Sequence, residues 1–246
     1  MSEQSFDTPG PVRVELKLAS GEVNITTVDA ATSTVMLDGP QKLTETMRVE
    51  LIGDRLMILA QRKGLAMRLG SFGDSVGIRV QVPRHSSVDV ATASSDVWLD
   101  GQFTALSMKS ASGDLRANGE IAGNVSFNTA SGSAQLAHVG GKLSAKTVSG
   151  DVRAEIVGGS VSGKSVSGDV AIGQVREGKV DVHSVSGDVV IGIAPGTNID
   201  VDAGSVSGDL NSEIPLGVDT HGPSTGPALA IRVQTVSGDV LVRRAT

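Results

Sequence analysis

The stretch Thr147-Val148-Ser149-Gly150-Asp151-Val152 constrains this chain more than any other feature, because near-copies of it recur from residue 92 to the C-terminus. Aligned on the glycine, the copies fall at Ser95 (a substituted copy), Gly113, Gly132, Gly150, Gly168, Gly187, Gly208 and Gly238. The steps between them are therefore 18, 19, 18, 18, 19, 21 and 30 residues. A unit this short cannot bury its own apolar face, so a steady period of this size implies a repeat architecture in which neighbours complete one another's core.

The spacers between copies alternate with period two, the signature of strands. Leu143, Ala145, Thr147 and Ser149 share one face, as do Val125, Phe127, Thr129 and Ser131, then Val180, Val182, Ser184 and Ser186, and Ile231, Val233, Thr235 and Ser237. The paired hydroxyls are thus expected to follow the apolar face. After the Gly-Asp corner a second strand repeats the alternation, with Val152, Ala154 and Ile156 in one copy and Val189, Ile191 and Ile193 in another. Gly-rich corners such as Gly140-Gly141, Gly158-Gly159 and Gly178 return the chain, so each coil is two strands and two corners.

The core this implies is built in thin layers, since 39% of residues are hydrophobic but only 2% aromatic. The expectation is an all-β, single-stranded β-solenoid (β-helix) of about eight stacked 18- to 19-residue coils, right-handed, with almost no helix. It forms one domain over residues 1–246. Residues 11–84 make a less regular N-terminal β region and cap, and residues 85–246 the regular repeats, with an insertion at 211–228. Within the cap, strands are expected at 34–37, 47–52, 56–60 and 76–82, a short helix over 42–52 being the alternative to the second. Leu65, Met67, Leu69 and Phe72 are expected to cover the exposed end of the core.

Backbone geometry explains the corner triplet. Glycine admits positive φ, while Ser and Asp hydrogen-bond locally and stabilise a sharp turn. The structural corner motif comprises Ser112-Gly113-Asp114, Ser149-Gly150-Asp151, Ser167-Gly168-Asp169, Ser186-Gly187-Asp188, Ser207-Gly208-Asp209 and Ser237-Gly238-Asp239. Coils stacked roughly 4.8 Å apart would set serine over serine, an internal hydroxyl ladder whose members satisfy each other. The repeated Val-Ser-Gly-Asp-Val with alternating spacers, from Val12 through the strand entering Pro83 to Ser237-Gly238-Asp239-Val240, resembles the bacterial family catalogued as domain of unknown function 4097, “putative adhesin”. That resemblance implies a stacked-coil β fold and brings no catalytic residues with it.

The corner acids Asp96, Asp114, Asp151, Asp169, Asp188, Asp209 and Asp239, interrupted by Ser133, would repel by roughly 0.8 kcal/mol per neighbouring pair in bulk water. A counter-ion is therefore conceivable. Calcium-binding β-rolls, however, gather six or more oxygens with a denser Gly/Asp nonapeptide. The acids are accordingly read as structural, with no metal site and no cofactor. His85, His138, His183 and His221 have no second ligand at metal spacing, and no nucleophile elbow is present. No catalytic residue is assigned, and the chain is read as not an enzyme.

Nucleic acid is a poor fit, since the net charge is −6, the sequence has no Lys/Arg stripe, and Tyr is absent. There is no signal peptide in the 246 residues and no run long enough for a membrane span, so a cytoplasmic location without membrane insertion is expected. Strict alternation leaves Val148, Val166, Val185, Val206 and Val236 pointing outward, continued by Ala93, Ala111 and Ala130. They form an apolar interface stripe where a monomer would carry polar side chains. A corner bulge that buries the valines and exposes the hydroxyls is the competing reading. The functional expectation is a non-enzymatic scaffold or assembly module that binds a protein partner or itself. The alternative is a small-ligand sensor or enzyme using the N-terminal cap or the 211–228 insertion.

Overall fold

A computed structural model describes residues 2–60, 76–213 and 226–245. Within them, 21 strands join in one hydrogen-bonded sheet, and a single-turn helix, α1 (Gln41–Thr44), stands between two of them. The repeats wind as the 18-residue period requires. First strands β8 (Gln102–Lys109), β10 (Val125–Asn128), β12 (Leu143–Lys146), β14 (Val161–Lys164) and β16 (Gly178–His183) stack in parallel along one side. Second strands β9 (Leu115–Ile121), β11 (Ala134–Val139), β13 (Val152–Val157), β15 (Val170–Val175) and β17 (Val189–Ile193) stack in parallel along the other.

Equivalent residues face each other coil after coil, as in the column Phe127, Ala145, Gly163 and Val182. The two smallest side chains of the column, Ala145 and Gly163, follow its largest, so Phe127 at full burial is accommodated by Ala145 beside it. The core is a file of such columns rather than a central cluster, each fully buried Val, Leu or Ile contributing about 1.5–3 kcal/mol.

The expected alternation in the second strand is corrected by one residue. Val152 and Ala154 point inward, but the next buried residue is Val157, and Ile156 is exposed. The chain bends within this strand, turning two successive residues, Glu155 and Ile156, to solvent. The copy with Val189, Ile191 and Ile193 keeps the alternation intact.

The cap is more ordered than the lost repeat suggested. β2 (Arg13–Val28) is a full first coil. Its first half pairs with β5 (Arg55–Ala60) and its second half with β6 (Val76–Pro83), while its whole length lies along β7 (Ser86–Asp100). Antiparallel strands then close both sides: β4 (Met47–Ile52) on β5, and β3 (Thr32–Asp38) on β6 followed by β1 (Ser2–Asp7) on β3. The helical alternative holds only for the single turn at 41–44. Leu65, Met67, Leu69 and Phe72 lie outside the described residues.

At the other end, spatial order departs from sequence order. β20 (Ala228–Ser237) and β21 (Val240–Arg244) stack directly on β16 and β17, and β18 (Asn198–Ser207) and β19 (Leu210–Ser212) stack outside them. The last coil in sequence is therefore inserted beneath the one before it, and the 30-residue step between Gly208 and Gly238 supplies the chain needed to double back. Composition explains the exchange. The inserted coil offers Leu229, Ile231, Val233, Val240 and Val242, all buried, whereas the outer coil offers Ile199, Val201 and Ala203, half-buried, and Leu210, exposed. The richer apolar set takes the position covered on both sides, and the poorer one serves as the terminal cap.

Candidate interaction surface

The Ser-Gly-Asp corner is where coils are bolted together. Oδ1 of each corner acid except Asp209, in the terminal coil, accepts the backbone N–H of the corner residue in the next coil. Asp96 accepts from Asp114 at 2.9 Å, Asp114 from Ser133 at 2.9 Å, Asp151 from Asp169 at 3.1 Å and Asp169 from Asp188 at 2.9 Å. Asp188 then accepts from Asp239 at 2.9 Å and Asp239 from Asp209 at 2.8 Å, following the exchanged order of the last coils. Ser133 is no interruption, because its Oγ accepts the N–H of Asp151 at 3.2 Å. One acceptor per coil is what the repeat preserves, and it aligns the acids despite their mutual repulsion.

The glycine answers to the same stacking. A Cβ on Gly113, Gly132, Gly150, Gly168, Gly187, Gly208 or Gly238 would come within 3 Å of the carbonyl oxygen of the corner residue in the adjoining coil. Positive φ accompanies this at Gly168 (φ +153°) but not at Gly150, so close backbone approach, more than turn conformation, excludes a side chain here.

The parity of the corner agrees with the outward reading of the valines and corrects the hydroxyls. Val148, Val166, Val185 and Val236 are 53%, 47%, 48% and 49% exposed, and Val206 in the terminal coil reaches 83%. Ala93, Ala111 and Ala130 continue the exposed row. The first hydroxyl of each pair is buried: Thr129, Thr147, Ser165, Ser184 and Thr235. The second, Ser131, Ser149, Ser167, Ser186 and Ser237, is exposed instead of inward. From Thr147 to the next inward residue, Val152, the chain takes an odd number of steps, so the corner resets the parity and presents two successive residues to solvent.

Nor do the buried hydroxyls satisfy one another. None of these five has a hydrogen-bond partner among the described residues. One hydroxyl per coil at a stacking distance of roughly 4.8 Å stands well beyond the roughly 3.0 Å reach of an O–H···O bond.

The structure also assembles a cationic column that the sequence reading denied. Lys109, Asn128, Lys146, Lys164 and His183 are successive register partners on the outer face of the first sheet. Each lysine stands three positions before a corner serine, a regularity visible only once the repeats are aligned. Beside it runs a neutral column of Ser107, Ser126, Ser144 and Ser162, ending at Asp181. The Lys179 ammonium, hydrogen-bonded at 2.9 Å, holds the Asp181 carboxyl below its ordinary range, against the opposing effect of partial desolvation; His183 Nε2, also 2.9 Å away, acts in the same direction as Lys179.

Two open depressions of about 430 and 360 Å³ lie on the outer faces. The first is bordered by Arg13, Asp89, Ser107, Ser126 and Lys142, with Arg13 bound to Asp89 at 2.6 and 2.7 Å. The second lies over Ala171, Gly173 and Val190 between Arg153 and Arg243. Among the described residues no group of three or more His, Cys, Asp or Glu gathers as a metal site, and no helix is long and apolar enough to cross a membrane. His221 lies outside the described residues.

Solved structures share this arrangement at low identity. One, named as a “putative lipid binding protein” from Parabacteroides distasonis, has a TM-score of 0.58 at 12% identity, covering 98% of this chain and 96% of that one. Another, a “putative adhesin” from Bacteroides fragilis, has a TM-score of 0.53 at 13% identity, with 98% and 96% covered. These likenesses are of fold. No curated protein matches the chain. The model of one family, described as Toastrack DUF4097, matches residues 12–243.

Proposed function

This chain belongs to the Toastrack DUF4097 family, and from that premise we propose that it is a non-enzymatic interaction module, a rigid rod that presents one corner to a protein. The observation that carries this reading is the row Val148, Val166, Val185 and Val236, each about half exposed on a corner whose other solvent-facing side chains are polar: Ser, Asp, Lys, His183 and Gln234. Valine leaves apolar area in water at about 25 cal/mol per Å², and repetition at the same position in successive coils turns single exposures into a continuous strip. The coil-to-coil hydrogen bonds of the corner hold the strip straight without any partner. The alternative placed on the cap or the 211–228 insertion falls partly on residues 61–75 and 214–225, which lie outside those described.

A photo-reactive residue at Val166, compared with one at Gln135 on the outer face of the second sheet, tests the reading in purified protein at high concentration and in an extract of the producing cells. Adducts formed at Val166 and not at Gln135 are expected. Equal labelling at both, or none at Val166, would overturn it. Val148→Asp, combined with the photo-reactive residue at position 166, is expected to leave the fold intact, within about 0.5 kcal/mol, while removing the adducts. Unfolding of that variant would show that the valines are core.

A further inference from the structure

Four columns line the corner in a fixed order, the first three exposed and the fourth half-buried at Asp151 and Asp169. Lys146 and Lys164 come first, then Val148 and Val166, then the corner serines, then Asp151 and Asp169. The lysines have no ion-pair partner among the described residues. The acids each commit Oδ1 to the inter-coil ladder, which leaves Oδ2 for an outside cation; Arg153 stands 3.7 Å from that of Asp151. An apolar ridge thus has a positive flank at Lys109, Lys146 and Lys164 and a negative flank supplied by the corner acids, with Ser133 in one coil between them.

We propose that the partner of this ridge is the same ridge of a second copy, lying alongside with both solenoids pointing the same way; the proposal rests on the reading above that the valine strip is an interface. The match is in spacing and sign together. Each lysine shares its coil with a corner acid, Lys109 with Asp114, Lys146 with Asp151 and Lys164 with Asp169, and coils stack roughly 4.8 Å apart, so a parallel copy placed in register at one of these coils is in register at all three. Symmetry then selects the orientation. A two-fold axis parallel to the solenoid axis lays each lysine flank over the partner's acid flank. A two-fold axis perpendicular to it sets lysine on lysine and acid on acid. An anionic bilayer would meet the acid column beside the same valines and is disfavoured by it.

The strip from Ala93 to Val206 is seven coil steps, roughly 34 Å. A ridge of that length and about one strand spacing in half-width covers only a few hundred Å² per copy, below the roughly 800 Å² of a standard interface. The dimer is accordingly weak, concentration-dependent and salt-sensitive.

Sedimentation of the full chain over a wide concentration range reads the mass directly. A monomer–dimer equilibrium is expected that weakens as salt is raised, and that Lys146→Glu with Lys164→Glu weakens by roughly tenfold or more. Orientation is read separately, because the chain contains no cysteine. Val236→Cys and Ala111→Cys lie five coils apart in space, roughly 24 Å. Treated with a short thiol-to-thiol cross-linker, each variant alone should form a covalent dimer, and a mixture should give no Ala111→Cys to Val236→Cys product. The mixed product, with neither variant linking to itself, would establish an antiparallel pair and overturn the proposal. So would a chain that stays monomeric at every concentration, even if Val166 still forms adducts with another protein; that outcome leaves the interaction-module reading standing. Binding to phosphatidylglycerol vesicles that survives in the monomeric state and is lost in Lys146→Glu with Lys164→Glu would likewise reject the second copy in favour of a lipid surface.

Discussion

Replacing Thr147 with Val should make this protein more stable. Thr147 is 7% exposed, and its Oγ1 has no hydrogen-bond partner among the described residues; Thr129 on one side and Ser165 on the other are in the same state. A buried hydroxyl without a partner costs about 1–3 kcal/mol relative to an apolar group of the same shape. Valine keeps the β-branched outline that suits a strand, so the swap removes the penalty and leaves no cavity. In a chain of this size 1 kcal/mol moves Tm by about 2–4 °C, which gives an expected rise of about 2–12 °C, read by calorimetry and by the urea midpoint at unchanged m-value. The column also supplies an internal control. Thr129 and Thr235 are four coils apart in space, roughly 19 Å, so Thr129→Val and Thr235→Val should add to within about 0.5 kcal/mol. Thr129→Val and Thr147→Val, in adjoining coils, need not add. A fall in Tm for Thr147→Val would refute the reasoning and show that the column is satisfied, for example by a file of bridging water.

Other expectations concern the corner and its surroundings. Gly150→Ala should destabilise by more than about 2 kcal/mol, because its Cβ meets a neighbouring backbone carbonyl that cannot move away without opening the stack; a neutral melt would contradict that. Asp169→Asn keeps an oxygen to accept the N–H of Asp188 and should be nearly silent, while Asp169→Ala should cost about 0.5–1.5 kcal/mol; equal melts for the two would assign the ladder no value. Asp181 should titrate below the ordinary carboxylate range by NMR, and Lys179→Met should bring it back up. Since the folded-state value is the depressed one, the small stability it supplies is present above the unfolded pKa and is lost as pH falls through the folded pKa.

How much of this was legible in the sequence depended on whether a feature was local or lay between coils. The period of Val-Ser-Gly-Asp identified the solenoid, and alternation placed Val166 outward and Val152 inward. Parity reasoning failed wherever the strand was not ideal. Ser167 follows Val166 to solvent because the corner takes an odd number of steps, and Ile156 yields its place to Val157 because the strand bends. Charge was misjudged for a different reason. Lys109, Lys146 and Lys164 are far apart in sequence and gather only through coil register. The role of Asp169 as acceptor for the next coil's N–H is likewise a relation between coils, not within one.

The exchange of the last two coils has a consequence for how the chain acquires its structure. Synthesis delivers residues 198–212 before residues 228–244, yet their place is outside them. When the earlier segment emerges, the edge of β16 and β17 is still uncovered, and it carries the same Val-Ser-Gly-Asp register that β18 and β19 recognise. Stacking there is locally consistent and globally wrong, so folding can reach a complete-looking rod that must be undone before the C-terminal coil can enter. A chain ending at residue 213 should hold that arrangement as its ground state. The full chain should pass through it, as a slow refolding phase that grows when Ile231 or Val233 is weakened and the competition tilts toward the earlier arrival.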